Sequence, residues 1–174
     1  MDIEREGIFE FRDKAVTVIG ADVKVGDQAP EFSVYDVNWG WIEALHSTQG
    51  KVRIIGSLPS LSTSVCDRET RRFNEEAAAL GAEIAVLMVS MDLPFTQKNW
   101  CAAAGIDNVM TLSDAKEAQF GKKYGVLLKE PRILRRAIFI VDKKDKVVLA
   151  SYMPKLGDEP DYPAVLEAAR KALA

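Results

Sequence analysis

The sequence predicts an α/β fold, a mixed central sheet flanked by helices with a β-hairpin at its N-terminus, and three observations predict it. Ile84–Val89 (IAVLMV) and Ala137–Val141 (AIFIV) are continuous apolar runs of strand length and Val52–Ser57 (VRIIGS) reads as a further buried strand, the pattern of strands covered on both faces. Segments with helical spacing separate these runs, and alternation of strand and helix calls for helices packed on a sheet. Finally, 174 residues with 48% hydrophobic and 28% charged side chains have the size and balance of one compact domain. Residues 1–174 are therefore expected to form a single domain, with residues 1–20 as a hairpin extension.

In chain order, Ile8–Arg12 and Ala15–Ile19 alternate in polarity around Asp13-Lys14, which predicts the opening hairpin. Gly20–Phe32 is loop-like, punctuated by Gly26 and Pro30, and a short strand is expected near Phe32–Tyr35. After the strand Val52–Ser57 and the breaker Pro59, a helix is expected over Thr63–Leu80, with Val65, Phe73, Ala77 and Leu80 on its inner face. A strand over Ile84–Val89 and a helix over Phe95–Ala104 closed by Gly105 repeat the pattern. Val109–Leu112 reads as a short strand and Ala115–Tyr124 as a helix stopped by Gly125. Ala137–Val141 then turns through DKKD into a hairpin partner, Val147–Tyr152, and Tyr162–Leu173 closes the chain as an amphipathic helix.

Charge and cysteine content narrow the function. With 23 basic against 26 acidic residues, net −3, there is no basic excess to meet a phosphate backbone or an anionic bilayer, so nucleic acid and membrane are not expected partners. The opening MDIEREGIFEFRDK mixes both signs without an apolar stretch, and no later run approaches the roughly 18 apolar residues of a membrane span. A cytoplasmic location is expected. A core of this size can bury about 70% of the unfolded surface and needs no disulfide staple. The two cysteines, Cys66 and Cys101, therefore call for another explanation, and in a reducing compartment a transient catalytic role is open to them.

Cys66 stands in PSLSTSVC, where a buried strand gives way to a helix. A thiol in the first helical turn meets unpaired backbone N–H groups and the positive end of the helix dipole, which favour thiolate over thiol. Thr63 lies one turn earlier, so its hydroxyl can face the sulfur, and Pro59 shapes the loop. Fast chemistry would further require groups that stabilise developing charge, such as an arginine and backbone amides. The bland alternatives are a small apolar residue behind a Thr63 N-cap, and for Cys101 an inert thiol on an Ala-rich helical face beside Trp100. The spacing of the two cysteines excludes a CxxC couple and short zinc-ligand patterns. The single histidine, His46, reads as a surface residue in a polar loop and leaves no protease-like Cys-His couple.

These residues resemble the peroxiredoxins, and within them the thiol peroxidase subfamily of atypical two-cysteine enzymes. PSLSTSVC fits a Pro-x-x-x-Thr-x-x-Cys motif with Pro59, Thr63 and Cys66 in register, followed by RRFN in the next helix. SMDLPFTQKNWCAAAGIDNVMTLSD is similar to the segment carrying the second cysteine, RRAIFIVD to the strand carrying an arginine, here Arg136, and VKVGDQAPEF and EPDY also match. The resemblance runs from about Val16 to the C-terminus. Ser62 stands where the subfamily has aspartate, and NWGWIEALHSTQG is less regular than its counterpart.

The resemblance implies a thioredoxin-like fold and a thiol peroxidase acting on hydrogen peroxide and organic hydroperoxides. Cys66 would attack the peroxide, Arg136 and Thr63 would stabilise the leaving charge, and Pro59, Thr63, Val65 and Arg136 would hold the substrate. Cys101 would then resolve the Cys66 sulfenic acid as an intramolecular disulfide. Thioredoxin is the implied reductant and a homodimer the implied assembly, with no metal, flavin or haem cofactor. Neighbours on a strand point to opposite faces, so only one of Arg135 and Arg136 can reach the pocket, and the resemblance selects Arg136, which directly precedes AIFIVD as the family arginine does. Disulfide formation between two helices would require local unwinding, since bridged Cα atoms lie within about 7 Å. Two rivals stand beside this reading: a thiol–disulfide oxidoreductase on the same fold, and a non-enzymatic redox sensor or binding module.

Overall fold

The computed structural model describes residues 1–174. Its elements run β1 (Glu4–Phe11), β2 (Lys14–Ile19), β3 (Ser33–Tyr35), β4 (Trp41–Glu43), α1 (Ala44–Ser47), β5 (Val52–Ser57), α2 (Ser64–Leu80) and β6 (Ile84–Ser90). There follow α3 (Pro94–Ala104), β7 (Met110–Ser113), α4 (Gln119–Lys123), β8 (Leu127–Leu128), β9 (Ile133–Leu134), β10 (Ala137–Val141), β11 (Val147–Tyr152) and α5 (Tyr162–Leu173).

The main sheet has seven strands in the order β11-β10-β5-β6-β7-β3-β4. β5, β6 and β7 are parallel, whereas β10 and β11 add antiparallel partners on one side and β3 and β4 on the other, so the sheet is mixed as expected. All six residues of β5 are buried, as expected of a strand covered on both faces. Alternation sends Ile54, Val86, Ile138 and Ile140 to one face, under Phe73 of α2 and Leu166 of α5. Ile55, Leu87 and Phe139 face the other side with Phe32, Phe120 and Tyr124. The exception within β5 is Arg53, wholly buried, whose guanidinium is satisfied by the Leu45 and Asp142 carbonyls and by Asp145 at 2.7 Å.

The N-terminal hairpin forms, with its turn one residue earlier than expected. Arg12 and Asp13 take positive φ, 51° and 61°, the mirror-image turn that matches strand twist. The hairpin does not stand alone. β2 pairs with β8, and β8 with β9, giving a second, four-stranded antiparallel sheet whose two short strands sequence periodicity did not reveal. Gly20, at φ 90°, ends the hairpin where a side chain would collide with the Lys122 carbonyl.

Three helix expectations change. The inner face of α2 is made by Cys66, Glu69, Thr70 and Phe73, not by Val65, which is only half-buried. The expected helix over 115–124 shrinks to Gln119–Lys123, because Ala118 adopts a left-handed conformation, φ 53°, that breaks a continuous helix. The buried Asp114 carboxylate caps what remains, accepting from the Phe120 and Gly121 N–H groups at 3.1 and 2.8 Å. His46 lies exposed as expected, but in α1 rather than in a loop. No helix is long and apolar enough to cross a membrane.

Candidate active site

β5 delivers the chain to a loop, residues 58–63, and the loop to the first turn of α2. The loop is fixed from outside. Asp92, just before α3, accepts from Ser60 Oγ and Leu61 N–H, both at 2.8 Å, and from Ser90 Oγ at 2.8 Å. Thr63 is the N-cap of α2, its Oγ1 accepting the Cys66 N–H at 3.2 Å. The side-chain hydroxyl thus occupies the first turn directly beside the Cys66 backbone. The sulfur itself is fully buried in the core on the α2 side of the sheet.

Arg136, at the edge of β10, reaches Cys66 Sγ with Nη2 at 3.3 Å. Three further contacts hold the guanidinium. Nη1 donates to Glu69 Oε2 at 2.5 Å, Nε and Nη2 donate to the Leu156 carbonyl at 3.2 and 3.0 Å, and the whole side chain is buried. Burial works against its charge, but the attraction of Glu69 and Cys66 prevails and raises it above the ordinary guanidinium value. Its neighbour Arg135 turns the other way, pairing with Asp22 and donating to the Gly125 carbonyl at 3.0 Å.

Glu69, three residues after Cys66 and so on the same helical face, is the member sequence reading missed. Burial pushes its carboxyl up to about 7 although Arg136 pulls the other way. Its Oε1 has no hydrogen-bond partner. The available signal was a glutamate at helical spacing from the cysteine, on a face read as apolar. Asp92 was likewise visible only as part of a matching segment.

A cavity of about 370 Å³ opens beside these groups. Pro59, Ser60, Thr63, Val65 and Arg136 line one side, and Phe11, Arg12, Ile133 and Leu156 line the other. Pro59, Thr63, Val65 and Arg136 thus meet around one opening, with Cys66 behind them.

Cys101 sits elsewhere. It projects from α3, half-buried, with Sγ 3.3 Å from Thr111 Oγ1 on β7, and borders a different cavity of about 280 Å³. Burial pushes its thiol up, and the Thr111 hydroxyl opposes this only in part. Both cysteines are free thiols.

A buried cysteine at a helix start, touched by an arginine from the neighbouring strand of a mixed sheet, defines a class. A sequence profile of the AhpC/TSA family matches residues 25–150, and the chain belongs to that family. Among its relatives, a thiol peroxidase from Oceanobacillus iheyensis is 50% identical over 156 residues, covering 90% of this chain and 94% of its own. A thiol peroxidase from Bacillus subtilis is 48% identical over 160 residues, 92% of this chain and 95% of its own. The crystal structure of a peroxiredoxin-like protein from Aquifex aeolicus superposes with a TM-score of 0.85 at 36% identity, over 94% of this chain and 96% of that one. These likenesses agree with the peroxiredoxin resemblance and the thioredoxin-like fold expected from the sequence.

Proposed function

We propose that this protein is a thiol peroxidase in which Cys66 reduces hydrogen peroxide and organic hydroperoxides and Cys101 resolves the product. The observation that carries the reading is the Arg136 guanidinium 3.3 Å from Cys66 Sγ, in the first turn of a helix. The Cys66 thiolate attacks the outer peroxide oxygen, the S–O bond forms as the O–O bond breaks, and alcohol or water leaves after taking a proton. Arg136 and the backbone N–H groups of the α2 start stabilise charge on the departing oxygen. Thr63, whose oxygen already accepts from Cys66 N–H, keeps its own proton free to donate to a peroxide oxygen.

Cys101 then displaces hydroxide from the Cys66 sulfenic acid, releasing water and leaving a Cys66–Cys101 disulfide. A dithiol protein, thioredoxin, restores both thiols by exchange and becomes a disulfide itself. No metal or organic cofactor enters any step.

Both sheets contribute to the one cavity, Phe11 and Ile133 from the smaller and Arg136 from the larger, which supports residues 1–174 acting as a single domain. The proposal includes a cytoplasmic homodimer without nucleic-acid or membrane partners. The exposed aromatic cluster of Trp39, Trp41 and Phe95, with Trp39 and Phe95 rings 4.9 Å apart, supports a second copy as a binding partner, and sedimentation measures it.

A coupled assay with thioredoxin, its reductase and NADPH tests the chemistry on wild type, C66S and C101S. C66S is expected to lose peroxide turnover altogether, and C101S to keep its first oxidation while failing to recycle. Full turnover in C66S would end the catalytic assignment. A wild type no faster than free cysteine would transfer the reading to a redox sensor.

A further inference from the structure

The immediate neighbours of the two cysteines are bonded to each other. Trp100, preceding Cys101 on α3, donates its indole N–H to Oδ1 of Asp67, which follows Cys66 on α2, at 3.1 Å. The second Asp67 oxygen accepts from Arg71 Nε at 2.9 Å. Arg71 in turn lies over the Trp100 ring, 5.8 Å from its centroid, and donates Nη1 to the Ala104 carbonyl at 3.3 Å. One turn further along α2, Asn74 Oδ1 accepts from Asp107 N–H and Asn108 N–H at 3.2 and 2.8 Å. Asp67, Arg71 and Asn74 follow one another at helical spacing, so a single stripe of α2 grips α3 from its middle to beyond its end.

The grip decides where the thiols point. Adjacent residues on a helix are turned by about 100° from each other. With Asp67 and Trp100 face to face, Cys66 is turned inward to Arg136 and Cys101 aside to Thr111. Beyond the stripe, α3 is held weakly: only Pro94 and Gln97 of its residues are buried, and Gln97 Nε2 bonds Ser90 Oγ and the Leu112 carbonyl at 3.1 and 2.9 Å.

We infer that the Asp67–Trp100–Arg71 contact is a latch whose release limits how fast Cys101 reaches the Cys66 sulfenic acid. The inference rests on the roles proposed above for the two cysteines. Trp100 and Arg71 are positioning residues: closed, the latch holds Cys101 aside at Thr111, and open, it lets α3 unwind toward α2. In the gated step the Cys101 thiolate attacks Cys66 Sγ, the S–S bond forms, the S–O bond breaks, and hydroxide leaves as water with the proton Cys101 gave up. While the latch is closed, a second peroxide molecule can carry the sulfenic acid on to sulfinic acid, itself reduced to water or alcohol. The same contact therefore sets how much excess peroxide the protein withstands.

W100F keeps an aromatic ring beside Arg71 while removing the indole donor together with the five-membered ring that carries it. The full-length protein is mixed rapidly with hydrogen peroxide, quenched at intervals, alkylated and weighed by mass spectrometry, which separates thiol, sulfenic acid, disulfide and sulfinic acid. The expected result is unchanged Cys66 oxidation, disulfide formation about five- to tenfold faster, and a sulfinic acid fraction at excess peroxide lowered in proportion. R71Q, which leaves the indole bond in place, is expected to shift the partition the same way by a smaller factor. A merely structural role would lower the melting temperature without moving that partition. If wild type forms the disulfide and both variants form it at the wild-type rate, the latch is overturned and the peroxidase reading stands. If wild type forms no Cys66–Cys101 disulfide, the resolving role itself fails and the latch with it.

Discussion

The surroundings of Cys66 and Cys101 are built in opposite ways. Cys66 is sealed in the core, its backbone capped by Thr63 and its sulfur faced by an arginine that is itself anchored at Glu69 and the Leu156 carbonyl. Cys101 stands half-exposed on a short helix of which two residues are buried, with one hydroxyl contact and a left-handed Gly105 cap, φ 66°, close behind. A nucleophile profits from preorganisation, because charge stabilisation works when donors are in place before charge develops. A resolving thiol profits from the reverse, because it must travel. On the roles proposed above for the two cysteines, these environments divide the cycle between a fixed half and a releasable half.

Removing one contact at each cysteine is the strongest way to break this comparison. R136M is expected to slow Cys66 oxidation by about 10²–10³, as loss of a charge-stabilising donor does. T111V, which removes the hydroxyl beside Cys101, is expected to leave that rate unchanged. Stopped-flow oxidation with excess peroxide measures both. Since R136M strands Glu69 without a counter-charge, the paired variant R136M/E69Q serves as the stability control. Comparable losses in R136M and T111V would show that the sites do not differ in preorganisation.

The ionisation of Glu69 sharpens the comparison, because burial brings this carboxyl on the preorganised side up to about 7, whereas it pushes the Cys101 thiol further above its ordinary range. The unfolded chain titrates Glu69 near its ordinary 4.5, the folded one at about 7. Below 4.5 both states hold the proton and nothing is lost. Between the two values the folded state keeps the proton and the unfolded state does not, so this group lowers stability as pH rises, by at most on the order of 3 kcal/mol above pH 7. Asp114, also pushed up to about 7 by burial, acts in the same direction. E69Q is therefore expected to flatten the fall in urea midpoint between pH 4.5 and 8 and leave only the share of Asp114. An unaltered slope would remove Glu69 as its source.

The main sheet was legible because β5, β6 and β10 are buried on both faces and show in the sequence as mainly apolar segments of strand length. α5 was legible end to end, since its Asp161 cap, Pro163 in the first turn and apolar stripe are all local signals. β8 and β9 were not, because two-residue strands have no period, and their pairing depends on a hairpin more than a hundred residues earlier. The shortened α4 escaped for the same reason: the left-handed Ala118 and the buried Asp114 cap are products of tertiary packing. At the site, Thr63 and Cys66 could be picked out by motif and Cys101 by the likeness of its segment; strand alternation showed that only one of Arg135 and Arg136 reaches the pocket, and the place of Arg136 directly before AIFIVD, matching the family arginine, selected it. Glu69 looked like one more solvated charge on an amphipathic helix, and only packing against Arg136 turns it inward.

Thr63 carries the smallest and most separable effect, because one hydroxyl serves both stability and chemistry. As N-cap it satisfies the Cys66 N–H, worth about 1 kcal/mol in helix stability. As a pocket wall it borders the cavity beside Arg136, where its proton is the one proposed above to reach a peroxide oxygen. T63V keeps the shape and loses both functions, so its unfolding midpoint and its rate of Cys66 oxidation are expected to fall together, the rate by about tenfold. T63S keeps the hydroxyl and loses only a methyl, so both quantities are expected to stay near wild type. No equivalent hydroxyl caps α3, whose N-cap Leu93 makes no side-chain bond, so disulfide formation by Cys101 is expected to proceed at the same rate in both variants once the sulfenic acid exists. A T63V that lost stability but oxidised at full speed would reduce Thr63 to a helix cap and leave Arg136 and the backbone amides as the stabilising groups.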